Sequence, residues 1–333
     1  MANPIICEVT RGGLVESMHR GAYVVVDAKG RIVSHAGDIE RPVYARSSMK
    51  VMQALPLIES GAADALGFGV KALSLAAASH SGEPGHAALA AEMLQRAGLG
   101  EADLGCGPQW PDRIKDAVAV AATRGGPARI HNNCSGKHAG FLATAAHTKA
   151  DVASYLDPDN PVQAGVKAAV EAVAGIAIDG GRCSIDGCSA PTFAMPLTHL
   201  ATGFARMATG AGLSADRAAA ARRLLDAAMA EPWYVAGTER MCTEIMRLAP
   251  GRIYAKTGAE GVYVAAFPEA GLALALKCDD GTTRAAEALL AALVLRHGAL
   301  GAEADAALAR LTERPVTDRN GALVGHIRGY APT

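Results

Sequence analysis

The residues best suited to chemistry are Ser47 and Lys50, in Ser47-Ser48-Met49-Lys50, and Lys256, in Lys256-Thr257-Gly258. A serine hydroxyl attacks well only with a base beside it, and an ordinary lysine, with a pKa of about 10.4, is protonated at neutral pH. A buried lysine facing a second cation shifts toward the range of roughly 7–8, where it can take a proton. Three residues are about one helical turn, so a helix starting at Ser47 places Lys50 on the same face and within reach of the serine. The helix start adds oriented N–H groups and a positive dipole end that favour developing negative charge. Taken alone, the spacing fits an N-cap serine and a surface lysine equally well. Lys256 changes that balance as the candidate second cation.

Three other loops offer chemistry. In Ser79-His80-Ser81-Gly82-Glu83-Pro84, either Ser79 or Ser81 is a candidate to pair with Lys256, against the plainer reading of a polar loop closing a helix. The stretch His131-Asn132-Asn133-Cys134-Ser135-Gly136-Lys137-His138 and the loop holding Cys183, Asp186 and Cys188 each precede an apolar run. Thiolates with His or carboxylate partners would suit Zn²⁺. With no C-x-x-C or H-x-x-x-H spacing, the same cysteines also fit buried inert thiols.

These side chains need elements to hold them. The first forty residues read as strands, with two β-branched runs joined by a turn at Asp27-Ala28-Lys29-Gly30. From Ser47 to about Met246 the texture is alanine-rich and helical, broken by Gly/Pro loops. Strand character returns over 252–267 and 271–278, followed by a helix capped by Thr282 or Thr283. A lone terminal hairpin is barely stable, so strands from both chain ends are expected to share one antiparallel sheet. The expected fold is therefore α/β of the α+β type in a single domain, 1–333. Its sheet lobe takes about 1–46 and 250–333, and its helical lobe 47–249. The cleft between them is the natural place for a site. Gly67–Ala72 fits a loose dinucleotide glycine pattern, but no strand precedes it.

Composition narrows the class. The 333 residues are half hydrophobic with a formal charge of −1, so the chain reads as globular, with no basic stripe to suggest nucleic acid. The first residues lack a basic segment followed by an apolar one, and nowhere do roughly 18 uncharged apolar residues run together. Seven cysteines at irregular spacing then suggest reduced thiols in a cytoplasm.

S-x-x-K on an early helix with K-T-G on a late strand resembles serine β-lactamases and penicillin-binding proteins. A longer resemblance is more specific. Arg46–Lys50, Ser79–His86, His131–Leu142, Asp186–Leu197 and Tyr254–Tyr263, in that order, resemble the asparaginase II family, the rhizobial-type or class 3 L-asparaginases. The resemblance covers about Arg46 to Gly261 and implies a fold similar to serine β-lactamases and glutaminases. It implies hydrolysis of L-asparagine, with Ser47 as nucleophile, Lys50 as its partner, and Ser79 with Lys256 as a second tandem. It also implies a Zn²⁺ ion on Cys134, Lys137 and Cys188 that shapes the pocket rather than activating water. Arg46, Glu83, Asn133, His138, Asp186 and Cys242 fall at pocket positions. Among them Arg46 is a candidate for the substrate carboxylate, and Asp186 and Glu83 for its ammonium. Members are typically homodimers. The rival readings are an exported β-lactamase-type enzyme, a glutaminase or other amidohydrolase, and a non-catalytic zinc-binding protein.

Overall fold

The run Ala22-Tyr23-Val24-Val25-Val26 organises the architecture, because all five residues are buried and a strand of that kind must be covered on both faces. It lies in β2 (Leu14–Asp27), in a computed structural model that describes residues 2–332. Positions 1 and 333 of the expected sheet lobe lie outside the described residues. Strands β1 (Ile5–Arg11) and β3 (Ile32–Ala36) flank β2 in sequence, and the short β4 (Val43–Tyr44) follows. Far along the chain come β7 (Tyr254–Gly258), β8 (Val262–Phe267) and β9 (Leu272–Cys278), then β10 (Glu313–Thr317) and β11 (Leu323–Gly329); β5 (Cys183–Ile185) and β6 (Pro191–Met195) lie between the two groups.

The main sheet has the order β10-β11-β1-β2-β9-β8-β7, with β3 also paired to β2, and every pairing is antiparallel. Both chain ends therefore build one sheet, as the strand-rich termini predict. The helix Leu197–Thr209 lies against β2, β8 and β9, and the helix Thr283–His297 against β1, β8, β9 and β11. Every residue of β8 is buried, which fits a sheet with helices on both faces. The Asp27–Gly30 turn forms as expected, with Gly30 N donating to Asp27 O at 2.9 Å and Gly30 at a φ of 78°. Thr282, of the two candidates, caps the helix Thr283–His297.

Two strand groups depart from the sequence reading. β5 and β6 stand inside the stretch read as helical and form a second sheet, ordered β4-β6-β5. The hairpin β10–β11 lies beyond the last helix that the sequence announces. Pro315 sits in β10, the sheet edge, where a strand tolerates a residue without an N–H. At Gly67–Ala72, Gly69 caps the helix Val70–Ala76 and no strand precedes it. No helix of the described residues is long and apolar enough to cross a membrane.

Candidate active site

β4 delivers the chain into a tight 3-10 turn, Arg46–Met49, that runs on into the short helix Lys50–Gln53. β7 passes directly against this turn: a Cβ added to Gly258 would stand 2.7 Å from Ala45 O and 3.2 Å from Ser48 N. Only glycine permits that approach, which explains the third residue of Lys256-Thr257-Gly258. Arg46 adopts a left-handed φ of 52° immediately before Ser47. Such a conformation costs about 1–3 kcal/mol and persists only where the surroundings hold it. Here the holder is Asp186, whose Oδ1 accepts from Arg46 Nη2 at 2.7 Å and Nε at 2.9 Å.

The two adjacent serines differ sharply. Ser48 is fully buried and donates to Ala45 O at 2.7 Å. Ser47 is half-buried, and its Oγ makes no hydrogen bond among the described residues. Ser47 is thus the hydroxyl left open to a reacting molecule.

Lys50 is completely buried and makes three hydrogen bonds: to Ala78 O at 2.6 Å, Ser79 Oγ at 2.8 Å and Cys134 Sγ at 2.9 Å. The pairing implied by resemblance was Ser79 with Lys256; the structure bonds Ser79 to Lys50 instead. The one-turn reach from Lys50 to Ser47 is also not used, because the 3-10 turn and the deep Ala78–Ser79 segment draw the amine inward. Ser81, the other candidate partner of Lys256, donates to Ala236 O at 2.8 Å. Lys256, equally buried, donates to Thr257 O at 2.9 Å. Burial, reinforced by the nearby charge of Lys50, brings Lys256 down to about 7. The nearby cation expected from the sequence is here Lys50, acting on Lys256.

Behind Lys50 lies a sulfur-rich cluster. Lys137 Nζ stands 3.1 Å from Cys188 Sγ, and both are buried with Cys134. The Cys188 sulfur and burial raise the Cys134 thiol, while the Cys134 sulfur and the Lys137 charge lower that of Cys188. Burial opposes the Lys137 ammonium, but the two sulfurs outweigh it and raise its pKa. The helix Ser135–Thr148 starts here, and the β5–β6 connection brings in Cys188.

The other predicted pocket positions divide. Arg46 and Asp186 sit at the site but occupy each other. Glu83, a candidate for the substrate ammonium, is already committed. Its Oε1 accepts from Thr238 N at 2.8 Å, and its Oε2 from Thr238 Oγ1 at 2.8 Å and Arg113 at 3.0 Å. Burial works against its charge, yet these bonds hold the carboxyl below its usual range. Glu83 therefore ties the 232–240 loop and Arg113 to the Ser79–Ser81 loop rather than facing a ligand. Asn133 accepts from Cys134 Sγ through Oδ1 at 3.0 Å. Cys242 lies behind β7, accepting from Thr257 N at 3.3 Å, so it positions the strand from beneath. His138 is fully buried beside Cys188, and burial lowers its imidazole to about 4. Sequence reasoning missed Arg113, Thr238 and Tyr155, whose importance arises from contacts between distant segments; no local motif marks them.

Among the described residues, His19, Cys278 and Asp280 also bring ligand atoms within 4.8 Å of one another, away from this site. His19 Nδ1 already meets Asp280 and its Nε2 meets Arg284, so the group is a closed hydrogen-bonded set. A cavity of about 390 Å³ borders Tyr44, Arg46, Glu260 and Lys277. A larger one of about 520 Å³, beside the helix Ile114–Arg124, is lined by neither Lys50 nor Lys256.

A family model described as L-asparaginase II matches residues 7–329. No curated protein matches the chain. Among solved structures, a β-lactamase from Mycobacterium bovis is 15% identical, with a TM-score of 0.38 over 88% of this chain and 95% of that one. The structure of a protein designated Mglu is 16% identical, with a TM-score of 0.35 over 80% of this chain and 64% of that one. Likeness at that level says nothing of what this chain binds.

Proposed function

The chain belongs to the L-asparaginase II family, and on that premise we propose that it hydrolyses L-asparagine to L-aspartate and ammonia through an acyl-enzyme on Ser47. The observation that carries the reading is an unengaged serine on the turn that runs into the helix of buried Lys50, packed against the strand of buried Lys256, itself brought to about 7. Ser47 Oγ attacks the side-chain amide carbon, and its proton passes into the Lys50–Ser79 and Lys256 group. Lys256, brought to about 7, can accept a proton at neutral pH. The same group returns a proton to the departing nitrogen, so ammonia leaves as the C–N bond breaks. Water then adds to the ester, gives up a proton to the lysines, and releases aspartate and free Ser47. Main-chain N–H groups at the Ser47 turn are the oxyanion donors, each worth about 3 kcal/mol to the transition state.

The donor set of Cys134, Lys137 and Cys188 fits Zn²⁺, being two buried sulfurs and a buried amine, with the amine 3.1 Å from Cys188 Sγ. These residues would hold it, with the Lys137 proton displaced. When bound, the ion would supply positive charge that keeps both sulfurs deprotonated and fixes the loop carrying Cys134 against Lys50. We further infer a homodimer in the cytoplasm, where the seven free cysteines stay reduced.

Two measurements test the reading. Ammonia release is expected from L-asparagine in preference to L-glutamine. A higher kcat/KM for glutamine would move the assignment to glutaminase, a close rival because one methylene gives limited discrimination. Turnover of a chromogenic cephalosporin with none of asparagine would support a β-lactamase-type enzyme instead. The pH profile follows from Lys256: its amine is protonated and useless as a base below its pKa, so kcat/KM rises through about pH 7 and levels above it. A rise delayed to the ordinary lysine range would show that Lys256 is not the titrating base.

A further inference from the structure

A free amino acid brings a carboxylate and an ammonium, and the residues that the sequence offers for them are engaged elsewhere. Arg46 and Asp186 hold each other, and Glu83 is bound by Thr238 and Arg113. The cavity of about 390 Å³ beside Arg46 offers another set of charges: Arg41, Arg46, Glu260, Lys277 and Asp279 line it. Arg46 is committed to Asp186, and Arg41 to Asp279 at 3.2 Å. Glu260 and Lys277 remain, one of each sign. Glu260 is exposed, and among the described residues its carboxylate has no hydrogen bond or ion-pair partner. Lys277 is half-buried and donates only to Cys278 O, on its own strand. No ion pair joins the two among the described residues, which leaves a place between them for a molecule carrying both charges.

Strand register sets both on the catalytic side of the sheet. Gly258, Val262 and Lys277 are partners across β7, β8 and β9, and residues paired in this way present their side chains on one face. It is the face that Gly258 turns toward Ala45 and Ser48, and Lys256, two residues earlier on β7, shares it. Lys277 lies two strand spacings, about 10 Å, from Gly258 along that face. Glu260 stands in the turn between β7 and β8 at a left-handed φ of 61°, which a residue other than glycine keeps only where its surroundings hold it. Resting on the asparaginase reading above, we propose that this pair grips the main-chain end of the substrate. Glu260 takes the α-ammonium and Lys277 the α-carboxylate, and the side-chain amide is directed to Ser47, the residue after Arg46. The pair thereby selects free amino acids over asparagine within a peptide, whose main chain carries neither charge.

The test is calorimetric titration of the full chain carrying Ser47→Ala, so that the amide stays intact, with and without Glu260→Gln or Lys277→Met. The titrants are L-asparagine, succinamate, which lacks the ammonium, and β-alaninamide, which lacks the carboxylate. Each added change is expected to weaken L-asparagine by roughly ten- to a hundredfold, the worth of a hydrogen bond to a charged group. Glu260→Gln should spare succinamate, and Lys277→Met should spare β-alaninamide. An unchanged affinity for L-asparagine, a loss shared equally by all three amides, or no binding of L-asparagine to the Ser47→Ala protein would overturn the proposal. Glu260→Gln, at an exposed residue, decides the matter even if Lys277→Met does not fold. Ammonia release by the wild-type protein is measured beside the titrations. Turnover with binding indifferent to both changes removes the pair and leaves the asparaginase reading standing; binding that follows the pair without turnover does the reverse.

Discussion

Replacing Ser47 by alanine is expected to lower turnover of asparagine by roughly ten-thousand- to a million-fold, the scale seen when a nucleophile acting as part of a unit is removed. The same change should move the melting temperature by no more than about two degrees. Ser47 is half-buried and its Oγ has no hydrogen bond among the described residues, so alanine breaks no contact. Ser48→Ala is the matched control and should show the opposite pattern. Its hydroxyl is buried and bonded to Ala45 O, so losing it costs about 1 kcal/mol of stability while most activity survives. Activity and circular dichroism on the two variants separate the roles of adjacent serines. Retention of near-wild-type ammonia release by Ser47→Ala would reject the acyl-enzyme.

Lys50→Met should be damaging on both counts. The amine is the junction of the site, shared by Ala78 O, Ser79 Oγ and Cys134 Sγ. Methionine fills most of the volume but satisfies none of these atoms, which are left buried. A loss of about 2–4 kcal/mol follows, seen as a melting temperature lower by roughly 3–6 °C. Activity should fall on the order of a thousand-fold or more, as expected when a proton-handling group and the serine it orients are lost together. Ser79→Ala removes only one of the three bonds and should be the milder change in stability. A Lys50→Met variant with ordinary kinetics would mean that the lysine is structural only.

How much of this was legible beforehand varied with distance along the chain. The β-branched run at Val24–Val26 and the Asp27–Gly30 turn carry their structure locally, and they form as read. Lys256-Thr257-Gly258 was legible as a strand, and the need for Gly258 became clear only with Ala45 O beneath it. The pairing of Ser79 with Lys50 was not legible, because helical spacing assumes a regular helix and the turn at Arg46–Met49 is 3-10. Glu83 looked free because Thr238, which occupies its carboxylate, lies 155 residues away. β5 and β6 escaped notice because β6 is buried at every position and its Pro191-Thr192-Phe193-Ala194-Met195 shows no alternation.

The sheet order has a consequence for how the protein is made. β1 lies between β2 and β11, and Tyr330 reaches back to Glu8 across 322 residues of chain. During synthesis the first strand therefore waits with one edge unpaired until β11 has left the ribosome. Contacts of such sequence separation make folding slow, and an unpaired edge in the waiting chain invites association with other chains. Truncation before Leu323 should yield insoluble protein rather than a smaller enzyme, even though Ser47, Lys50, Ser79 and Lys256 would all be present.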